Sequence, residues 1–136
     1  MLSGSPPLVG VSSAPSHHTL KTITQSKTFS LSWLDRRLSK NLEILASSSG
    51  LDETDKLSRS GLRHHPGRKL KVPVPDSASA VLECGLAGKR KFGDHVLLVG
   101  HVVAAYATED FESYWRFKEY IPILYTGWRG GLGAYG

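Results

Sequence analysis

The segment His95–Ala107, HVLLVGHVVAAYA, constrains this chain more than any other. It is too long and too rich in β-branched residues for a simple two-faced strand. Val96, Leu98 and Val102 fall on one side, and Leu97, Val99 and Val103 on the other. Both sides need cover, as in a barrel strand that also packs against a partner. Gly100, in the middle, predicts a bulge or bend. Two histidines, His95 and His101, interrupt the run, and a Gly-Asp pair precedes it.

The rest of the chain reads as strands with inserted helices. PPLVGVSS is a short strand, and Pro15 and Ser16 suit a turn and a helix start, with Ser16 or Thr19 placed to cap. In TFSLSWL, Phe29, Leu31 and Trp33 share one face and Ser30 and Ser32 the other, which predicts a half-buried strand. DRRLSKNLEILASSSG carries Leu38, Leu42 and Leu45 at helical spacing, with Gly50 as its stop. LDETDKLSRSGL predicts a second short helix with Asp52 near its start. RHHPGRKLKVPVPDS, with three prolines, predicts a loop. SASAVLECGLAG is a strand with Ala80, Leu82, Cys84 and Leu86 on one face. EDFESYWRFKEY is an amphipathic helix or a plain connection, and IPILYTGWRGGLGAYG closes the chain with short apolar and glycine-rich pieces. The pattern predicts a mainly β fold, a barrel with α insertions.

The chain has 136 residues, enough for one domain with a real core. No apolar run approaches the roughly 18 residues of a membrane span. MLSGSPPLVGVSSAP lacks the basic and apolar regions of a secretory signal. Cys84 is the only cysteine, so an internal disulfide is excluded and the cytoplasm is the expected compartment. The net charge of +5 concentrates between Arg59 and Arg68 and in GKRKFGD. Such a surface attracts phosphates, but no nucleic-acid motif accompanies it, so nucleic acid is not the expected partner. Paired-cysteine metal sites, phosphate-loop and nucleophile-elbow motifs are absent. The pairs His17-His18 and His64-His65 point their rings apart, so no metal site is expected.

Two places carry candidate chemistry. In SSAPSHHTLK, Ser12, Ser13, Ser16, Thr19 and Lys21 surround a strand-to-helix turn. A helix N-terminus with hydroxyls and a cation suits a phosphate, although the same residues serve as ordinary caps. His95 follows Gly93-Asp94 at the mouth of the long strand. It is either a core histidine with a satisfied ring or a donor to a ligand at the strand mouth. Asp94 suits an Asx turn.

PPLVGVSSAPSHHTLKTI, SSSGLDETDKLSRSGL, SAVLECGL and GDHVLLVGHVVAAYA resemble, in order and spacing, the flavin reductase-like, FMN-binding split-barrel family. The terminal PILYTGWRGG resembles that family's closing segment more loosely. The resemblance implies a Greek-key split β-barrel that forms a homodimer and holds FMN near the interface. It implies hydride transfer from NADH or NADPH to flavin, or electron carriage on held FMN. Carried over residue by residue, it makes Ser12, Ser16, Thr19 and Lys21 phosphate contacts. His17 stands where many relatives have arginine, which implies a weaker or pH-dependent contact. His95 matches the family's Gly-Asp-His histidine, on the nicotinamide side of the flavin, and His101 becomes structural or interfacial.

Relatives of that family begin with additional strands before the PPLV strand, including a segment that lines the isoalloxazine ring. This chain starts directly before LSGSPPLV, so the expectation for residues 1–136 is a single split-barrel domain shortened at its N-terminus. Two alternatives accompany the reductase: an FMN electron-transfer protein without efficient NAD(P)H turnover, and a remnant that binds nothing.

Overall fold

The structure, a computed structural model, describes residues 1–47, 56–109, 120–125 and 132–134. In chain order its elements are β1 (Ser3–Gly4), β2 (Pro7–Ser13), α1 (His18–Ser26), β3 (Thr28–Leu34), a 3₁₀ turn (Arg36–Leu38), α2 (Ser39–Ser47) and α3 (Lys56–Arg59). There follow β4 (His64–Pro66), β5 (Pro73–Pro75), β6 (Ala78–Phe92), β7 (His95–Ala107), β8 (Ile123–Tyr125) and β9 (Leu132–Ala134). The main sheet has the order β1-β2-β7-β6-β3, and β4-β5 and β8-β9 form two-stranded sheets. The fold is mainly β with helical insertions, as the sequence predicts. Among the described residues the hydrogen-bonded order is linear rather than closed on itself. No helix among them is long and apolar enough to cross a membrane.

The chain divides into two compact units. The first comprises Met1–Leu31, Pro66–Pro73 and Leu82–Ala105. Its core is Val9, Ile23, Phe29, Cys84 and Leu98, with Val11, Leu20, Leu31, Leu82, Leu86 and Val102 packed on it. Each fully buried Leu or Phe there contributes about 2 kcal/mol. The second comprises Ser32–His65, Val74–Val81 and Tyr106–Gly136. It buries Leu34, Leu62, Val74, Val81 and Tyr120, and Asn41 Nδ2 donates to Ser60 O at 2.6 Å.

The long apolar run forms β7, with a correction. β2 and β7 pair antiparallel, residue for residue, from Leu8↔His101 through Val9↔Gly100 to Ser13↔Val96. No bulge interrupts that ladder at Gly100. The glycine is there because the Phe29 ring lies on it: a Cβ would meet Phe29 Cζ, Phe29 Cε1 at 2.9 Å and Cys84 Cβ at 3.0 Å. Nor are both sides of β7 equally covered. Leu98 is fully buried, whereas Val103 is 41% exposed and His101 is exposed on the face away from the core.

Other differences have local causes. The expected loop over residues 63–77 contains the β4-β5 pair, and Asp76 N–H donates to Arg63 O at 3.0 Å. Prolines at Pro66, Pro73 and Pro75 suit such short strands, whose ends need few ladder donors. β6 continues past Gly88 to Phe92. In β3, Phe29 is buried as expected, but Ser30 and Ser32 are half-buried too, and Ser30 Oγ donates to Pro73 O at 2.7 Å. The helix after Leu34 begins as a 3₁₀ turn before α2. Gly50 as its stop, Asp52 as the next start and most of EDFESYWRFKEY lie outside the described residues. In the closing segment the apolar pieces pair as β8 and β9.

Candidate functional site

β2 ends at Ser13, and α1 starts five residues later at His18. The register Ser13↔Val96 sets the end of β2 beside the beginning of β7. The β2–α1 turn and His95 therefore occupy the same end of the sheet. Ser12 lies opposite Leu97, and His95, two residues before Leu97, shares that face.

Ser12, Ser16, His17, Thr19 and Lys21 are all exposed. Ser13 is buried; its Oγ donates to Ala14 O at 3.4 Å and lies 3.4 Å from His17 Nδ1. The N-cap of α1 is His17, not Ser16 or Thr19, and no side chain caps the helix. Its backbone is extended there (φ −73, ψ 128), with His17 N–H donating to Ala14 O at 3.0 Å. The first turn holds no acidic residue. Lys21 follows in the second turn, where the positive end of the helix dipole disfavours a cation. Hydroxyls, an imidazole, an ammonium and an uncapped helix start form the donor set that a phosphate requires.

His95 opens β7 after a two-residue turn in which Gly93 adopts φ 57, a conformation that favours glycine. Its ring is half exposed, and Nδ1 lies 2.9 Å from Asp94 Oδ1. Against a carboxylate, Nδ1 carries the proton, and Nε2 is left for a ligand. The hydrogen bond from His95 holds the Asp94 carboxyl below its ordinary value, helped by Asp94's own backbone N–H and the charge of His95. Asp94 thus does more than shape the turn: it orients His95. Sequence reasoning missed this role, although a carboxylate directly before a histidine was the available signal.

Beside that turn stands the end of β6, Lys89, Arg90, Lys91 and Phe92, all exposed. The Arg90 guanidinium lies 5.2 Å from the Phe92 ring centroid. The remaining reactive group is quiet: Cys84 is fully buried, and burial pushes its thiol up to about 11. Among the described residues no cluster of three His, Cys, Asp or Glu side chains could hold a metal.

The chain belongs to the flavin reductase like domain family, whose model matches residues 1–127. It is 31% identical over 126 residues to an uncharacterized protein of Aeropyrum pernix, covering 92% of this chain. It spans about half, 48%, of that relative's length. The crystal structure of an FMN-binding protein from Thermus thermophilus with bound p-hydroxybenzaldehyde is similar at TM-score 0.82 and 32% identity. That match covers 98% of this chain and 71% of the Thermus chain. An NADH:FAD oxidoreductase of Streptomyces globisporus is similar at TM-score 0.70 and 25% identity, over 78% of this chain and 61% of its own. The fold is accordingly that of the flavin reductase-like split barrels.

Proposed function

We propose that this protein binds FMN by its phosphate at the β2–α1 junction and passes hydride to it from NADH or NADPH. The observation that carries the reading is the start of α1, which no side chain caps and no carboxylate neutralises, ringed by exposed hydroxyls and Lys21. FMN, when bound, supplies an acceptor at N5 for the hydride leaving nicotinamide C4, so the flavin gains the two electrons that the nicotinamide loses. Ser12, Ser16 and Thr19 donate to phosphate oxygens, His17 adds a contact that strengthens when protonated, and Lys21 supplies charge. His95, its Nδ1 committed to Asp94, presents Nε2 to the nicotinamide: as an acceptor when neutral, as a donor when protonated. It orients the nucleotide and is not itself oxidised or reduced.

We further take residues 1–136 as one domain, because the family model runs unbroken through 1–127. The partner is a second copy of the chain, docked on the β2–β7 face away from the core, toward its far end, where Leu8, Val99 and Val103 stand. The setting is the cytoplasm, in keeping with a single free, buried thiol.

FMN titration of the purified chain, followed by flavin absorbance and fluorescence, tests the reading. The expected result is saturable binding in the micromolar range or tighter, about −8 kcal/mol. No saturable binding overturns it. The second reading is an FMN electron carrier, which the FMN-binding Thermus relative fits equally well. Reduction of the bound flavin by dithionite but not by NADH or NADPH would select that carrier.

A further inference from the structure

We infer that the tip of the β6–β7 hairpin selects a nicotinamide nucleotide bearing a 2′-phosphate, with Arg90 as the direct phosphate contact. The inference rests on the flavin reading above and names the substrate that the same end of the sheet takes.

The argument begins with the turn. β6 ends at Phe92 and β7 begins at His95, so the two-residue turn sets Phe92 opposite His95 on one face of the hairpin. Arg90, two residues back along β6, shares the face of Phe92, and its guanidinium lies over the ring at 5.2 Å. The register with β2 adds Leu97 and Ser12 to the same face. Arg90, Phe92, His95 and Ser12 thus form a continuous row that ends at the β2–α1 turn. Successive strand spacings place the Arg90 and His95 backbones within about 12 Å. Nicotinamide at His95 leaves the rest of its dinucleotide within reach of Arg90.

Charge supplies the second part. Among the described residues, Arg37, Arg63 and His65 each have a carboxylate within ion-pair distance. Lys89, Arg90 and Lys91 have none among the described ion pairs. Asp94, the nearest carboxylate along the chain, is engaged by His95. Three adjacent cations repel one another, which a bound anion relieves. A planar guanidinium already held against a ring loses little further freedom when a phosphate forks onto it. Lys89 and Lys91 alternate to the opposite face and act at longer range, within a Debye length of about 10 Å.

The chemistry that fits is a 2′-phosphate monoester on a nucleotide. NADPH and NADH differ in one such group, so a guanidinium and two ammonium groups translate into a preference between them. Neither 5′-AMP nor inorganic phosphate combines that ester with the rest of the nucleotide, and 2′,5′-ADP does.

The test is calorimetric binding of NADP⁺, NAD⁺, 2′,5′-ADP, 5′-AMP and inorganic phosphate to the FMN-loaded protein, which reads affinity without turnover. NADP⁺ and 2′,5′-ADP are expected to bind about tenfold or more tightly than NAD⁺ and 5′-AMP, as charge-assisted contacts allow. Arg90→Ser should remove most of that preference while FMN and NAD⁺ affinities stay unchanged. Arg90→Lys should keep part of it. Lys89→Ser with Lys91→Ser should lower it about threefold at low salt and hardly at all at 0.5 M salt, an estimate from screening. Equal affinity for NADP⁺ and NAD⁺ in the unaltered protein overturns the inference. So does a preference that Arg90→Ser leaves intact, as does equal strength for inorganic phosphate and 2′,5′-ADP. Should FMN fail to bind, the same titrations on flavin-free protein still decide the matter: an Arg90-dependent preference supports the hairpin while the β2–α1 reading falls.

Discussion

Two helical segments of this chain begin in opposite ways. The Arg36–Leu38 turn that leads into α2 starts at Asp35, a buried carboxylate. Asp35 accepts from Arg37 N–H at 3.0 Å, Arg37 Nε at 2.7 Å and Ile121 N–H at 2.8 Å. Helix α1 starts at His17, with no side-chain cap and no acid in its first turn. The same orphan N–H groups arise at both starts. One start satisfies them with an anion built into the chain; at the other no side chain caps, and Leu20 N–H donates back to His17 O at 3.1 Å. A third place repeats the built-in solution: the fully buried Glu83 accepts from the N–H groups of Arg68, Lys69 and Leu70 at 2.5, 2.9 and 2.6 Å. That loop is closed by Gly67 N–H donating to Val72 O at 2.9 Å. At these two places the chain supplies its own carboxylate, and at the start of α1 it supplies none.

The contrast can be broken from either side. The largest effect is expected at Glu83→Ala, which leaves three partly buried backbone donors without their acceptor and should cost about 3 kcal/mol in urea unfolding. An unchanged midpoint would remove Glu83 from the comparison. Next is Asp35→Ala, with an expected loss of about 2 kcal/mol. Burial raises the Asp35 carboxyl, but the N–H groups of Ile121 and Arg37 and the Arg37 side chain outweigh it, leaving it below 3.8. A carboxylate lowered on folding stabilises fully above its unfolded value, near 4, and loses that contribution as pH falls through the folded value. Asp35→Asn should therefore flatten the acid limb of stability below about pH 4, as read by thermal melts across pH.

A smaller and opposite effect is expected at His17→Asp, which gives α1 the kind of start that Asp35 provides. Stability should rise by about 1 kcal/mol while FMN affinity falls at least tenfold, because the new carboxylate takes the phosphate's place. A rise in both would show that the start of α1 is not the anion site. Smallest is Thr19→Ala with Lys21→Ala: folding should shift by no more than about 0.5 kcal/mol, as expected for surface positions. FMN binding should weaken about tenfold, a loss confined to the ligand-bound form. Unchanged FMN affinity would remove these two residues from the site.

Strong periodicity carried most of the fold into view. The apolar run of β7 and the face of Leu82, Cys84 and Leu86 in β6 announced strands, because alternation is a property of each segment alone. The β2–β7 ladder carries no bulge at Gly100, and the reason a glycine stands there is tertiary: the Phe29 ring that excludes a side chain comes from β3, about seventy residues earlier. The β4-β5 pair was hidden for a similar reason, since strands of three residues rich in proline carry no period. At the site, the residue types were legible, but their convergence was not. That the β2–α1 turn and His95 share one end of the sheet follows from the Ser13↔Val96 register, which no local pattern encodes. The His17 cap illustrates the limit of capping rules: hydroxyl residues stand on both sides, and the chain geometry puts the cap on the residue between them.

Cys84 gives the first unit a timer. Its thiol is sealed in the core and titrates near 11, so at pH 8 only about one in a thousand such thiols is ionised, and that fraction is out of a reagent's reach. Modification must await a fluctuation that parts Cys84 from Phe29 and Leu98, and its rate counts those openings. A ligand that binds only the closed form makes them rarer in proportion to its occupancy. The rate of alkylation, followed with and without FMN by mass alone, turns a chemically silent residue into a gauge of cofactor binding that needs neither colour nor turnover.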